Sequence, residues 1–214
     1  MIQVDIWSDV RCPFCYIGKH RFEAALVKFS HRKQVRVEWH SFQLDPAIET
    51  QPEISTLDYF VKAKNVSKDQ AKEMFDGARK MASETGLEMD LENSVVANSY
   101  KAHLLIQLAK TKNVANQMEE ALFEAHFQKA KNIDDNEVLV EIATSVGISE
   151  TEAKDALNSS DFAAAVKEDE LQAQKIGVRG VPFFVFNNKY AVSGAQSSES
   201  FLEVLEKVWQ ETSA

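Results

Sequence analysis

The residues of this chain best suited to covalent chemistry are its two cysteines, Cys12 and Cys15, which form a single C-x-x-C motif. Residues 2–8 predict a strand, because Ile2, Val4 and Ile6 alternate with Gln3, Asp5 and Trp7. Residues 13 to about 29 carry an apolar stripe at helical spacing. The motif therefore falls where a strand passes into a helix, and cysteines three positions apart on such a helix lie close enough to close a disulfide.

A dithiol at this junction predicts redox chemistry. The free N–H groups and the positive end of the helix dipole favour a thiolate at Cys12, which we expect to be the attacking nucleophile. Cys15 is then the resolving thiol that breaks the mixed disulfide. Pro13 and Phe14 form the active-site turn between them, and Pro13 suits the first helical turn because it has no N–H and its φ is preset.

The alternative interpretation is that the two cysteines are half of the ligands of a zinc site. A structural zinc site needs four ligands, and the chain has no third cysteine. His20 and His40 could complete a two-cysteine, two-histidine set, but their spacing is not that of a zinc finger. We therefore expect redox chemistry and no metal.

The segment Asp-Ile-Trp-Ser-Asp-Val-Arg-Cys-Pro-Phe-Cys-Tyr-Ile-Gly-Lys, residues 5–19, resembles the start of the DsbA-like family in the thioredoxin superfamily. It is most similar to the cytoplasmic FrnE-like branch, which neighbours the 2-hydroxychromene-2-carboxylate isomerases and the kappa-class glutathione transferases. The resemblance extends over nearly the whole chain. It implies an α/β protein with a thioredoxin-like fold that is split by a helical insertion domain.

The order of elements along the chain agrees with this expectation. Residues 35–40 predict a second strand, and a right-handed crossover would make it parallel to the first. From 56 to about 175 the pattern is almost wholly helical. A hairpin and a final helix then follow. We therefore assign residues 1–42 and 176–214 to the thioredoxin-like domain and residues 43–175 to the helical insertion.

A Gly-Val-Pro sequence precedes the predicted hairpin, where Pro182 opens a strand. Together with the cysteine motif, it resembles the cis-proline loop of the thioredoxin fold. In that family the loop faces the cysteines, and its backbone pairs with an extended substrate. The resemblance implies that Val181 and Pro182 bind substrate, with Val181 tuning its release.

Two further residues are candidates for tuning or proton transfer. Asp5 lies in the strand where thioredoxins carry a buried acid that helps to move protons, although it is seven residues before Cys12, one more than in thioredoxin. The alternative is a solvent-facing aspartate. His103 lies in a segment that resembles a part of the family near the active site, so it could contact substrate or carry protons. A hydrogen-bonded histidine at the border of the helical core is the alternative.

Composition limits the partners and the compartment. A net charge of −9 argues against nucleic acid or an acidic membrane as a partner. No segment approaches the roughly 18 apolar residues of a membrane span, and no leader pattern is visible at the N-terminus. We therefore expect a cytoplasmic protein, in which a disulfide is transient and catalytic.

The sequence thus predicts a thiol–disulfide oxidoreductase acting on protein thiols or small disulfides. It would bind no cofactor, its redox group being the Cys12–Cys15 disulfide, with glutathione as a possible co-substrate. A glutathione-dependent isomerase or transferase is the second interpretation, although those relatives usually carry serine at the catalytic turn. A non-catalytic redox-sensing or metal-binding module is the third. Exposed parts of the helical insertion could support a homodimer.

Overall fold

The computed structural model describes residues 1–213, which divide into two compact units. The first unit contains residues 1–44 and the described residues from 165 onward, and the second contains residues 45–164. The chain therefore leaves the first unit once and returns to it once.

A four-stranded mixed sheet forms the centre of the first unit. Its strands are β1 (Ile2–Ser8), β2 (Val35–Ser41), β3 (Phe183–Phe186) and β4 (Tyr190–Ser193), in the order β2-β1-β3-β4. β1 and β2 are parallel, as the crossover rule predicts, whereas β3 is antiparallel to both β1 and β4. The predicted second strand and the hairpin are both confirmed.

Each face of the sheet is covered by helices. On one face, α1 (Pro13–Lys28) and α9 (Ser198–Ser213) pack over the strands, and the ring of Phe22 contacts the rings of Phe184, Phe186 and Phe201. On the other face, Trp7 packs against Ala173 of α8 (Ser160–Lys175). Side chains alternate between the two faces along β1, because successive residues of a strand point to opposite sides.

The second unit is helical. Its helices are α2 (Thr56–Lys64), α3 (Lys68–Ser83), α4 (Tyr100–Thr111), α5 (Ala115–Phe127), α6 (Asn136–Ser145), α7 (Glu150–Ala156) and the start of α8. Residues 84–99 form turns and bends rather than a helix, so the expectation of an almost wholly helical stretch is wrong there. None of the helices within residues 1–213 has the length and apolar content to cross a membrane.

The division between the units differs from the sequence boundaries at 42/43 and 175/176. The structure separates the units after Leu44 and before Ala165. Asp169 and Ala173, in the second half of α8, pack against the sheet of the first unit. The hydrophobic pattern of α8 is continuous, so the sequence carries no signal that one helix belongs to two units.

Candidate active site

The C-x-x-C motif lies at the end of β1, where the strand passes into α1. The turn between the two elements is closed by the Cys12 N–H, which donates to the Asp9 carbonyl over 2.9 Å. Cys12 is the N-cap residue of α1 and Pro13 occupies its first turn, which contains no acidic side chain. The thiol of Cys12 therefore meets the positive end of the helix dipole without a competing carboxylate in that turn.

The fully buried Asp9 fixes the shape of this turn. One carboxylate oxygen accepts a hydrogen bond from the Arg11 N–H over 3.2 Å, and the other accepts from the Leu44 N–H over 2.8 Å. The carboxylate thus ties the active-site turn to the chain that follows β2. Sequence reasoning missed this role, since the Leu44 contact spans 35 positions.

Both cysteines are free thiols, and the two have different surroundings. The Cys12 thiol lies 3.6 Å from the Val181 carbonyl oxygen, to which it donates. Cys15 is 1% exposed, and burial, reinforced by the neighbouring Cys12, raises the pKa of the Cys15 thiol well above its ordinary value. Beside them Phe14 is 41% exposed, so an apolar ring borders the thiols at the surface.

The loop before β3 completes this cluster. The peptide bond between Val181 and Pro182 is cis, and Pro182 is buried. A Cβ built on Gly18 of α1 would lie only 2.9 Å from Pro182 Cγ, which is closer than carbon atoms approach. The absence of a side chain at Gly18 therefore allows the cysteine-bearing helix to contact the Val181–Pro182 loop. The structure brings together Cys12, Cys15, Pro13, Phe14, Val181 and Pro182.

Asp5 lies on the other face of the sheet from α1. It alternates with Ile6 along β1, and Ile6 pairs with Phe184, whose ring contacts α1. The Asp5 carboxylate is 3.1 Å from His40 Nε2 and accepts from the Gln3 side-chain amide over 3.0 Å. Its proposed part in proton transfer therefore stays a prediction.

His40 stands at the centre of a buried polar network on that face. Its Nδ1 is 2.7 Å from an Asp169 carboxylate oxygen, and the ring stacks on Trp7 at a centroid distance of 4.5 Å. The Trp7 indole N–H also donates to the Asp169 carbonyl over 3.0 Å, and the second Asp169 carboxylate oxygen accepts from the Ser41 N–H. Because both ring nitrogens face carboxylates, His40 makes both hydrogen bonds when each nitrogen carries a proton.

This network was missed by sequence reasoning, which considered His40 only as an alternative zinc ligand. The contact between His40 and Asp169 spans 129 positions, so no local pattern indicates it. His103 lies in α4 of the second unit and is fully buried. Its proposed contact with substrate also stays a prediction.

Comparisons with known proteins place these features in a family. A model of the DSBA-like thioredoxin domain matches residues 3–206. The uncharacterised protein YwbO of Bacillus subtilis (strain 168) is 26% identical over 205 residues, covering 94% of each chain. The crystal structure of a probable DsbA oxidoreductase from Streptomyces coelicolor matches with a TM-score of 0.92 and 35% identity, covering 99% of this chain and 91% of that chain. These matches confirm the predicted thioredoxin-like fold with a helical insertion.

Two more distant solved structures share the fold. A 2-hydroxychromene-2-carboxylate isomerase matches with a TM-score of 0.73 at 13% identity, over 99% of this chain and 98% of its own. The cytosolic disulfide reductase DsbM from Pseudomonas aeruginosa, solved with GSH, matches with a TM-score of 0.68 at 16% identity, over 97% and 99%. At such identities the likeness extends to the fold alone.

Proposed function

Because the chain belongs to the family of DsbA-like thioredoxin domains, we propose that it is a thiol–disulfide oxidoreductase acting through Cys12 and Cys15. The observation that carries this proposal is the placement of two free thiols at the N-terminus of α1, with the Cys12 thiol against the Val181 carbonyl. A thiolate at a helix N-terminus and a second thiol three residues on are the two groups that disulfide exchange requires.

Reduction of a substrate disulfide begins at Cys12. The Cys12 thiolate attacks one sulfur of the substrate, so that a bond forms between Cys12 and that sulfur while the substrate disulfide breaks. The other substrate sulfur leaves as a thiolate and takes up a proton from solvent. The N-terminus of α1 supports the charge on Cys12 before the attack, since its first turn contains no carboxylate.

Cys15 completes the cycle. Its deprotonated sulfur attacks Cys12 in the mixed disulfide, forming the Cys12–Cys15 disulfide and releasing the bound substrate as a thiol. The oxidised protein runs the same two steps in reverse when it oxidises a dithiol. Burial of Cys15 keeps the resolving thiol protonated until a substrate has been captured, because burial disfavours the charged form.

The surface around Cys12 fits an extended, partly apolar substrate. The exposed Phe14 ring offers an apolar contact, and the Val181–Pro182 loop lies beside the thiol. Pairing of a substrate backbone with this loop would be a form of β-augmentation. We propose protein thiols and small disulfides as substrates, with no metal and no cofactor besides the disulfide itself. The net charge of −9 argues against nucleic acid as a partner.

Glutathione is the small disulfide that we propose as a co-substrate. Support comes from DsbM of Pseudomonas aeruginosa, a cytosolic disulfide reductase solved with GSH, which has the same fold. The same likeness supports a cytoplasmic location, where glutathione is abundant and disulfides are transient.

Trapping of the mixed disulfide tests this proposal. Reduced protein carrying Cys15→Ser is exposed to glutathione disulfide, and the intact mass and the modified peptide are measured. We expect a stable glutathione adduct on Cys12, because no thiol remains to release it. The matched variant Cys12→Ser is expected to form little adduct. Equal labelling of both variants would contradict the assignment of roles.

A glutathione-dependent isomerase is the competing function, and it rests on fold alone. Isomerisation needs no resolving thiol, whereas net disulfide exchange does. Full activity of the Cys15→Ser variant toward an isomerisation substrate, together with no dithiol oxidation by the wild-type protein, would favour that function.

A further inference from the structure

Ser8, the last residue of β1, has a side chain that the fold leaves without a hydrogen bond. The residue is fully buried, and no group within residues 1–213 makes a hydrogen bond of standard geometry to its hydroxyl oxygen. A buried hydroxyl without a partner is costly, and native proteins rarely keep one without a reason. The backbone of Ser8 is satisfied separately, since its carbonyl accepts from the Phe42 N–H over 3.1 Å.

The face of β1 on which Ser8 lies directs its hydroxyl toward α1. Along the strand Ser8 shares a face with Ile6, which pairs with Phe184, and Phe184 contacts α1. Cys15 is in the first turn of α1 and is itself buried. An uncommitted donor and a thiol that must ionise during the proposed reaction are thus both buried on the α1 side of the sheet.

The neighbours of Cys15 shift the pKa of its thiol in opposite directions. Burial is the largest influence and raises the pKa of the thiol, and the Cys12 thiol raises it further. Two groups act in the opposite direction, the backbone of Asp9 and the side chain of Ser8. Of these two, only Ser8 contributes a side-chain donor.

We propose that the Ser8 hydroxyl is the hydrogen-bond donor that stabilises the Cys15 thiolate while it attacks the mixed disulfide. The inference rests on the proposed function and specifies how its second step becomes possible in a buried place. In the thiol form the hydroxyl has no strong acceptor, and in the thiolate form it gains one. A hydrogen bond to a charged group is stronger than one between neutral groups. The hydroxyl therefore stabilises mainly the Cys15 thiolate, which forms in the second step.

The chemical balance of the step is simple. Cys15 loses its proton to solvent, its sulfur forms a bond with Cys12, and the bond between Cys12 and the substrate sulfur breaks. The departing sulfur takes up a proton and leaves as a thiol. The Ser8 hydroxyl keeps its own proton throughout and donates it only as a hydrogen bond.

Single-turnover kinetics with Ellman's reagent separate the two steps of the reaction. Attack by Cys12 releases one thionitrobenzoate, and attack by Cys15 on the mixed disulfide releases a second, so two phases are recorded in a stopped-flow instrument. For Ser8→Ala we expect an unchanged first phase. The second phase should be about tenfold slower, and its pH profile should move by about one unit toward higher pH. Both changes have the size expected for the loss of one hydrogen bond to a charged group.

Matched variants distinguish a missing donor from a damaged fold. Ser8→Thr keeps the hydroxyl and should retain the second phase to within a few-fold. Ser8→Val, which is nearly isosteric with the threonine variant but has no hydroxyl, should lose it as Ser8→Ala does. Ser41 pairs with Ser8 across β1 and β2 and is equally buried, so Ser41→Ala should leave both phases unchanged.

The proposal is overturned if the second phase of Ser8→Ala keeps the wild-type rate and pH profile. It is equally overturned if both phases slow together with no change in the pH profile, which would indicate a structural role. Failure of the proposed function has a different signature, because wild-type protein would then release only one thionitrobenzoate per molecule.

Discussion

Cys12 and Cys15 are only three positions apart in the sequence and both are buried, yet their contacts differ. Cys12 caps α1 and lies beside the Val181 carbonyl, next to the exposed Phe14. Cys15 lies inside, where burial raises the pKa of its thiol. At the scale of the residue, these differences support the proposal that the first cysteine attacks and the second resolves.

Alkylation should modify Cys12 before Cys15. With iodoacetamide at about neutral pH, well below the ordinary thiol pKa, we expect Cys12 to be modified first. Cys15 should react only as the pH rises, because burial raises its pKa. Peptide mass spectrometry after timed quenching measures both rates. Faster labelling of Cys15 than of Cys12 would reverse the proposed roles.

The raised pKa of Cys15 also predicts how the stability of the reduced protein depends on pH. At pH values below the ordinary thiol pKa of 9.0, Cys15 is protonated in both the folded and the unfolded chain. Its contribution to the free energy of unfolding is therefore constant there. Above that value the unfolded chain loses the proton while the folded chain retains it. The free energy of unfolding should therefore fall as the pH rises past 9.0.

Urea titrations of the reduced protein on both sides of that pH measure the effect. Cys15→Ala is the matched control, since it removes the titrating thiol and keeps Cys12. We expect the variant to lose less stability than the wild type over the same range. Identical losses would mean that Cys15 does not carry a raised pKa in the folded protein.

At the scale of the element, the distance between α1 and the Val181–Pro182 loop is set by Gly18. The position faces Pro182 so closely that a Cβ would lie 2.9 Å from the ring carbon. Any side chain there must push the loop away from the helix that carries the cysteines. The close approach thus links the packing of two elements to the geometry of the thiols.

Gly18→Ala should therefore destabilise the protein by about 1–3 kcal/mol, the usual cost of overpacking, and slow the attack of Cys12 on a disulfide. Gly77→Ala is the matched control, because Gly77 lies within α3 with no atom within 4 Å of the added carbon. That change should stabilise by about 0.5–1 kcal/mol. Chemical denaturation and single-turnover rates measure both effects. A neutral Gly18→Ala variant would show that the loop is free to move.

Local signals in the sequence were sufficient to show where α3 and α7 begin. Ser67 with Gln70 and Ser149 with Glu152 form the capping boxes at which α3 and α7 begin, and such a start can be recognised in the sequence because a capping box depends on residues only three positions apart. The partners of Asp9 and His40 could not be predicted in the same way. Their hydrogen bonds join residues 35 and 129 positions apart and depend on the completed fold.

At the scale of the whole molecule, the first unit is assembled from the two ends of the chain. The network of His40 with Asp5 and Asp169 joins β1, β2 and the returning helix α8, and its His40 and Asp169 side chains are buried. The order of the elements was predictable from periodicity, but the hydrogen bonds that join α8 to β1 and β2 were not. The structure divides the units before Ala165 rather than at 175/176, and α8 supplies Asp169 to the sheet.

Asp169→Ala should lower the free energy of unfolding by about 3 kcal/mol, because it removes the buried partner of His40 Nδ1 and of the Ser41 N–H. Glu168→Ala, an exposed neighbour on the same helix, should change stability by no more than about 0.5 kcal/mol. Urea titration measures both. Alkylation of Cys12 should be unaffected, since the network lies on the opposite face of the sheet from α1. A loss below about 1 kcal/mol for Asp169→Ala would contradict the account of how α8 is held.

The equilibrium between the two thiols and glutathione tests the central claim most directly. The protein is equilibrated over a series of ratios of reduced to oxidised glutathione, quenched in acid, alkylated and weighed by mass spectrometry. We expect one reversible two-electron transition in which Cys12 and Cys15 form an intramolecular disulfide. If no such disulfide forms at any ratio, the protein is not a dithiol oxidoreductase.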